Sequence, residues 1–153
     1  MKKVYSKKIL ISWESFCKNY ECEYTFDEEN GKLYFKIYSD VLSQELECMV
    51  QIDSKNYKLF IKMPVSFDES KLDVVEDYIL LSNGNPIFSH FSIDYDTNIV
   101  YGVNGVFCGG QVVHSTSIEE ILYITKGNVE YFYKGLKTLI EKDISAEEAY
   151  AIR

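Results

Sequence analysis

Three runs of this chain alternate strictly between apolar and polar side chains: Leu33-Phe35-Ile37, Leu46-Cys48-Val50-Ile52 and Tyr57-Leu59-Ile61-Met63. A period of two belongs to strands with one buried face, whereas a helix would scatter the same residues around its circumference. Between the runs stand short polar segments, so the strands must return on one another as antiparallel hairpins. Asn30-Gly31 precedes the first run, and a glycine at that place favours the positive φ of a tight hairpin turn. A shorter Tyr24-Phe26 segment lies on the other side of that turn, which makes a meander of about four strands. Pro64 has no amide to donate and is expected to end the last ladder.

The flanks carry a different period. Ile9, Trp13, Phe16, Cys17 and Tyr20 fall on one side of a helix over about residues 6 to 20. Leu72, Val75, Ile79 and Leu80 mark a second helix, capped by Asp68 or Ser70 and closed by Asn83-Gly84 in a left-handed ending. After Pro86 a second hairpin is expected: Ile87, Phe91, Ile93 and Tyr95 share one parity, Asp94 to Asn98 turns the chain, and Ile99, Tyr101 and Val103 return it. Gly105, Gly109 and Gly110 mark its end. Ser117 and Glu120 have the spacing of a capping box. Behind them Ile118, Ile121, Leu122, Val129, Phe132, Leu136, Leu139 and Ile140 keep one apolar stripe, with Gly127 and Gly135 as points of bending. A second box, Ser145 with Glu148, starts a short terminal helix. The fold class read from this order is α+β: helix, antiparallel β-meander, helix, β-hairpin and long helix, in one domain over residues 1–153.

Composition narrows the function. The 153 residues hold 16 basic and 24 acidic side chains, a net charge of -8, and the only arginine is Arg153. Nucleic-acid binding needs a cationic face and favours the guanidinium fork, so no nucleic-acid partner is expected. No apolar run approaches a membrane span, and the Ile9-Leu10-Ile11 run after the N-terminal lysines is too short for a secretory signal, so a cytoplasmic location is expected. Cys17, Cys22, Cys48 and Cys108 form no Cys-x-x-Cys pair. Cys48 is expected inside a strand and Cys17 on the buried stripe of the first helix, both as small core residues.

Motifs for chemistry are incomplete. Asp94, Asp96 and Asn98 have the opening spacing of a calcium loop, but Ile99 stands where glycine is needed and Gly105 where a bidentate glutamate is needed. A polar hairpin turn accounts for them better. His90 and His114 have no recognisable partner in sequence, and the paired carboxylates lie at turns or helix starts, where they complement the helix dipole. No catalytic residue, metal or cofactor is therefore expected. The distinctive surface is the outward side of the meander. If Leu33, Phe35 and Ile37 face the core, then Tyr34, Tyr38, Met49 and Phe60 face outward among Lys36, Glu47, Gln51, Lys58 and Lys62. Aromatic and methionine side chains ringed by charge fit a protein-contact surface.

Several of these features together resemble the bacterial YbjN family, which shares its fold with the type III secretion chaperones. They are the alternation through Leu33-Phe35-Ile37 and Tyr57 to Pro64, the Leu80 to Asn85 end of the second helix, the turn from Asp94 to Asn98, and the closing Ile144 to Ala149. The resemblance runs from about residue 9 to 150. It implies a small, acidic, dimeric protein of the sensory-regulator kind that acts by binding and carries no catalytic residue. The glycines from Gly105 to Gly110 and the four cysteines are not features of that family. Three functions are weighed in order: a non-enzymatic protein-binding module of chaperone or regulatory character, a small-molecule sensor with a pocket between sheet and long helix, and an enzyme using Cys108.

Overall fold

A computed structural model of the protein describes residues 3–84 and 89–152. Six strands form one antiparallel sheet in the order β1-β2-β3-β4-β6-β5, with β1 at Tyr24–Asp27, β2 at Lys32–Ser39, β3 at Gln44–Ile52, β4 at Asn56–Ser66, β5 at His90–Asp94 and β6 at Ile99–Phe107. The helices are α1 (Lys7–Asn19), α2 (Leu72–Asn83), α3 (Ser115–Glu141) and α4 (Ala146–Tyr150). This is the α+β order expected from the alternating periods.

The core lies between the helices and one face of the sheet. Leu33, Val50, Leu59 and Ile61 are fully buried there, and Trp13 of α1 packs its ring against Phe35 and Tyr57 at 5.9 and 5.5 Å. Burying side chains of this size stabilises by roughly 1.5–3 kcal/mol each. Cys48 and Cys17 are buried as expected, at 3% and 0% exposure. The α3 stripe is buried from Ile118 to Leu139 and also takes in Thr125 and Gly135. α3 runs unbroken through both of its glycines. Gly135 marks a close approach, since a Cβ there would lie 2.5 Å from the Tyr78 hydroxyl and 2.6 Å from the Ala149 carbonyl oxygen.

Several local expectations are corrected. Pro64 does not end β4: the strand continues to Ser66, and the ladder to β6 shifts register between Lys62 and Ser66. An irregularity of that kind is where a strand tolerates a residue without an amide donor. Gly84 closes α2 at φ -71°, a right-handed ending, and the Asn83 side chain turns to β5 instead. Its amide donates to the Phe91 carbonyl at 2.9 Å and its carbonyl accepts the Phe91 amide at 2.7 Å. Asn83 thus acts as a one-residue strand that covers this position of the β5 edge. On α2, Leu80 is exposed and Tyr78 is buried in its place, donating its hydroxyl to the Phe132 carbonyl at 2.8 Å.

Tyr20 lies beyond α1, exposed, stacked on Phe16 and donating to Glu119 of α3. Ser117 is not a cap. α3 starts three residues earlier, with His114 in the extended N-cap position and the Val113 amide before it held by the Ser12 hydroxyl at 2.9 Å. The terminal box is formed, with Ser145 and Glu148 bonded reciprocally. Gly105 lies inside β6, while Gly109 and Gly110 follow it at φ +64° and +76°. Pro86 and Ile87, expected at the start of the second hairpin, lie outside the described residues.

Candidate protein-contact face

Residues directly opposite in an antiparallel ladder share a face, so the registers assign both sides of the sheet. One row runs Thr25, Tyr34, Met49, Phe60, Val103 and His90, crossing all six strands. It lies on the side away from the helices, because the adjacent row of Tyr24, Phe35, Cys48, Ile61, Gly102 and Phe91 faces the core. Strands stand about 4.8 Å apart, so the apolar part from Tyr34 to Val103 spans roughly 14 Å.

Of the four residues expected on this face, Tyr34, Met49 and Phe60 are therefore direct cross-strand neighbours. Tyr34 is 43% exposed, and Met49 and Phe60 are half-buried. Tyr38 also points outward, at 55% exposure, but it sits opposite Glu45 near the β2–β3 turn, separated from Tyr34 by Lys36. The row is bordered on one side by Lys32, Gln51, Lys58 and Gly105. On the other side Lys36 pairs with Glu47 across β2–β3, and Lys62 lies opposite Tyr101. The Lys62 ammonium donates to Glu47 at 2.9 Å, and that bond holds the Glu47 carboxyl below its usual range and the Lys62 ammonium above its own.

Sequence reading missed what β6 adds to this side of the sheet: Tyr101, half-buried, and Val103, buried. In the sequence Tyr101 and Val103 only mark the strand that returns the second hairpin, with no face assigned. The registers make Gly102 the inward residue, and Phe60 and Tyr101 meet edge to face at 6.2 Å on the outer side. The reason is α3. A Cβ at Gly102 would stand 2.8 Å from Val129 Cγ2, so this inward position must be bare for the long helix to lie directly on β6. A glycine between apolar residues in a strand is the signal that could have shown it, since it marks close approach by another element.

The outer face carries two open hollows. A hollow of about 1230 Å³ is lined by the segment from Glu21 to Thr25 and by Tyr34, Lys36, Glu47, Met49, Lys62 and Tyr101, among others. A second, of about 530 Å³, adjoins it through Lys36, Glu45, Glu47 and Lys62 and extends to Pro64 and Ile99. Neither lies between sheet and α3, where Thr125 and Val129 are fully buried against the inner face.

The sites weighed for chemistry are dispersed. Cys108 follows β6, with its thiol 3.8 Å from the Lys55 carbonyl oxygen. His90 begins β5 and His114 precedes α3. Asp94 accepts the Asp96 amide at 3.0 Å, the bond of a polar turn. Among the described residues no group of three or more histidine, cysteine or carboxylate side chains is placed to hold a metal ion, and no helix is long and apolar enough to cross a membrane.

No protein-family model matches the sequence, and no curated protein matches it. Among solved structures, a chain of the complex described as "Structure of the HopA1-SchA Chaperone-Effector Complex" is similar to this one. The likeness covers 81% of this chain and 91% of that one, with a TM-score of 0.57 and 10% sequence identity. At that identity the likeness is one of fold alone.

Proposed function

We propose that this protein is a non-enzymatic polypeptide-binding module that holds a segment of a partner protein against the open face of its sheet. The observation that carries the reading is the aligned outer row of Tyr34, Met49 and Phe60, on a face that none of the helices covers; Val103 continues the row but is itself buried. Aromatic and methionine side chains are the residue types that contact surfaces favour, because they offer large apolar area and adaptable shape. Likeness of fold to a chain of a chaperone–effector complex supports the same reading. The row is flanked by Lys32, Lys36, Lys58 and Lys62 together with Glu45 and Glu47, a mixed charged rim of the kind that borders contact surfaces.

The finer form of the proposal is a regulator of the YbjN kind that works as a dimer. The tight fit of α3 on β6 at Gly102 favours a partner on the outer face over a small ligand between the layers. Replacing Tyr34→Ala together with Phe60→Ala tests the assignment. Recovery of partners from the native cell should fall at least tenfold while the unfolding temperature stays within a few degrees of the parent. Unchanged recovery and unchanged self-association would place binding elsewhere.

A further inference from the structure

Three of the four thiols converge at the C-terminal end of α1, a grouping that their spacing in sequence hides. The helix ends in a Schellman turn. Tyr20 caps it, Glu21 takes a left-handed φ of 54°, the Cys22 amide donates to the Cys17 carbonyl at 2.8 Å, and the Glu21 amide donates to the Lys18 carbonyl at 3.3 Å. In this turn the side chain three residues before the cap commonly meets the one two residues after it, usually as an apolar contact. Here those two positions are Cys17 and Cys22. The 2.8 Å bond between their backbones brings the two Cα atoms within the roughly 4.4–6.8 Å that a disulfide spans.

Electrostatics and burial support the same grouping. The Cys17 pKa is pushed up to about 12, first by burial and then by the neighbouring Cys22 thiol. That of Cys48 is raised by burial, then by Cys22 and Cys17. Cys17 and Cys48 are buried, whereas Cys22 is partly exposed and stands in the wall of the outer hollow beside Glu21 and Glu23. One thiol is thus open to solvent with a second directly behind it.

We propose that Cys17 and Cys22 form a reversible dithiol–disulfide site at the rim of the open sheet face, oxidised by the disulfide of a small thiol such as glutathione. Cys22, as thiolate, attacks one sulfur of oxidised glutathione, forming a mixed disulfide and expelling one glutathione thiolate. Cys17 then gives up its proton to solvent and attacks the Cys22 sulfur, closing the Cys17–Cys22 bond and expelling the second; its raised pKa makes this the slower step and one that quickens as pH rises. The two protons lost by the protein end on two glutathione thiols, and two electrons pass from the protein to the oxidant. The Schellman turn already holds the two backbones together, and closure needs the Cys22 thiol to turn from the Tyr20 carbonyl, 3.7 Å away, toward Cys17. Cys48 is the less suited partner, since it is fixed within the β3 ladder opposite Phe35 and Ile61. This inference stands apart from the proposed function and survives if the sheet face binds nothing.

The folded protein is incubated with oxidised glutathione, quenched with acid and mapped without reduction. Lys18 lies between the two cysteines, so trypsin releases them on separate peptides unless a disulfide joins them. The expected result is a loss of two hydrogens, a Cys17–Cys22 linked peptide and reversal by dithiothreitol. Cys48→Ser should keep the link, and Cys17→Ser should stop at a glutathione adduct on Cys22. A stable Cys22–glutathione adduct in the parent protein, a Cys22–Cys48 link, or no reaction at Cys22 would each overturn the proposal. The parent protein alone decides these outcomes, so the test stands even if a variant folds poorly.

Discussion

Tyr57 shows how far single residues can be read from pattern. Its place in an alternating run predicts an inward side chain, and it is fully buried between Trp13 and the sheet. What the pattern does not carry is the hydroxyl, which has no hydrogen-bond partner among the described residues. Burial, helped by the nearby Cys108 thiol, pushes its pKa up to about 12 and keeps the phenol neutral. A buried polar group without a partner costs about 1–3 kcal/mol of desolvation, which phenylalanine avoids. Tyr57→Phe is therefore expected to match the parent in urea unfolding or exceed it by about 1 kcal/mol. A loss above that size would mean that the hydroxyl does have a partner.

Other residues mark the limits of pattern reading more sharply. Periodicity tells which side of a helix is apolar but not how wide the buried stripe is, so Leu80 and Tyr20 were expected inside and are exposed, while Tyr78 is buried. On β6 the pattern alone does not tell which face is inward, because contact with α3 selects a bare glycine at the inward position. Gly102 holds that information, but only once the helix lying on it is known.

At the scale of elements, the meander was legible because its strands have one wet face and one dry face, which forces strict alternation through β2, β3 and β4. Helix starts were less legible. Of the two capping boxes read from the sequence, at Ser117 and Ser145, only the second forms. α3 begins at Ser115, just after the Val113 amide held by Ser12, which leaves Ser117 inside its first turn. Ser6 caps α1 instead, accepting the Ile9 amide at 3.2 Å and donating to the Gly110 carbonyl at 2.6 Å. Ser6→Ala should therefore cost about 1–2 kcal/mol and Ser117→Ala less than about 0.5 kcal/mol. Equal losses in thermal or urea unfolding would contradict this assignment of the helix starts. The β5 edge was illegible for a related reason: the residue that covers it, Asn83, belongs to a different element and meets it only in the folded chain.

At the scale of the whole molecule, a two-layer arrangement leaves one face of a six-stranded sheet without helices. The outward residues Tyr34, Met49 and Phe60 could be named from alternation alone. Their alignment into one row could not, because register depends on turn lengths and on the irregularity near Pro64. Tyr38 shows the difference: it shares the outward direction but not the row.

The central claim is that a polypeptide is held on this face. A photo-crosslinking benzoylphenylalanine placed at Phe60 and, separately, at Tyr123 on the exposed side of α3 tests it most directly, with both proteins irradiated in the native cell. The account predicts a discrete crosslinked polypeptide from position 60, lost on adding Tyr34→Ala, and none from position 123. Crosslinking from position 123 with none from position 60 would contradict it.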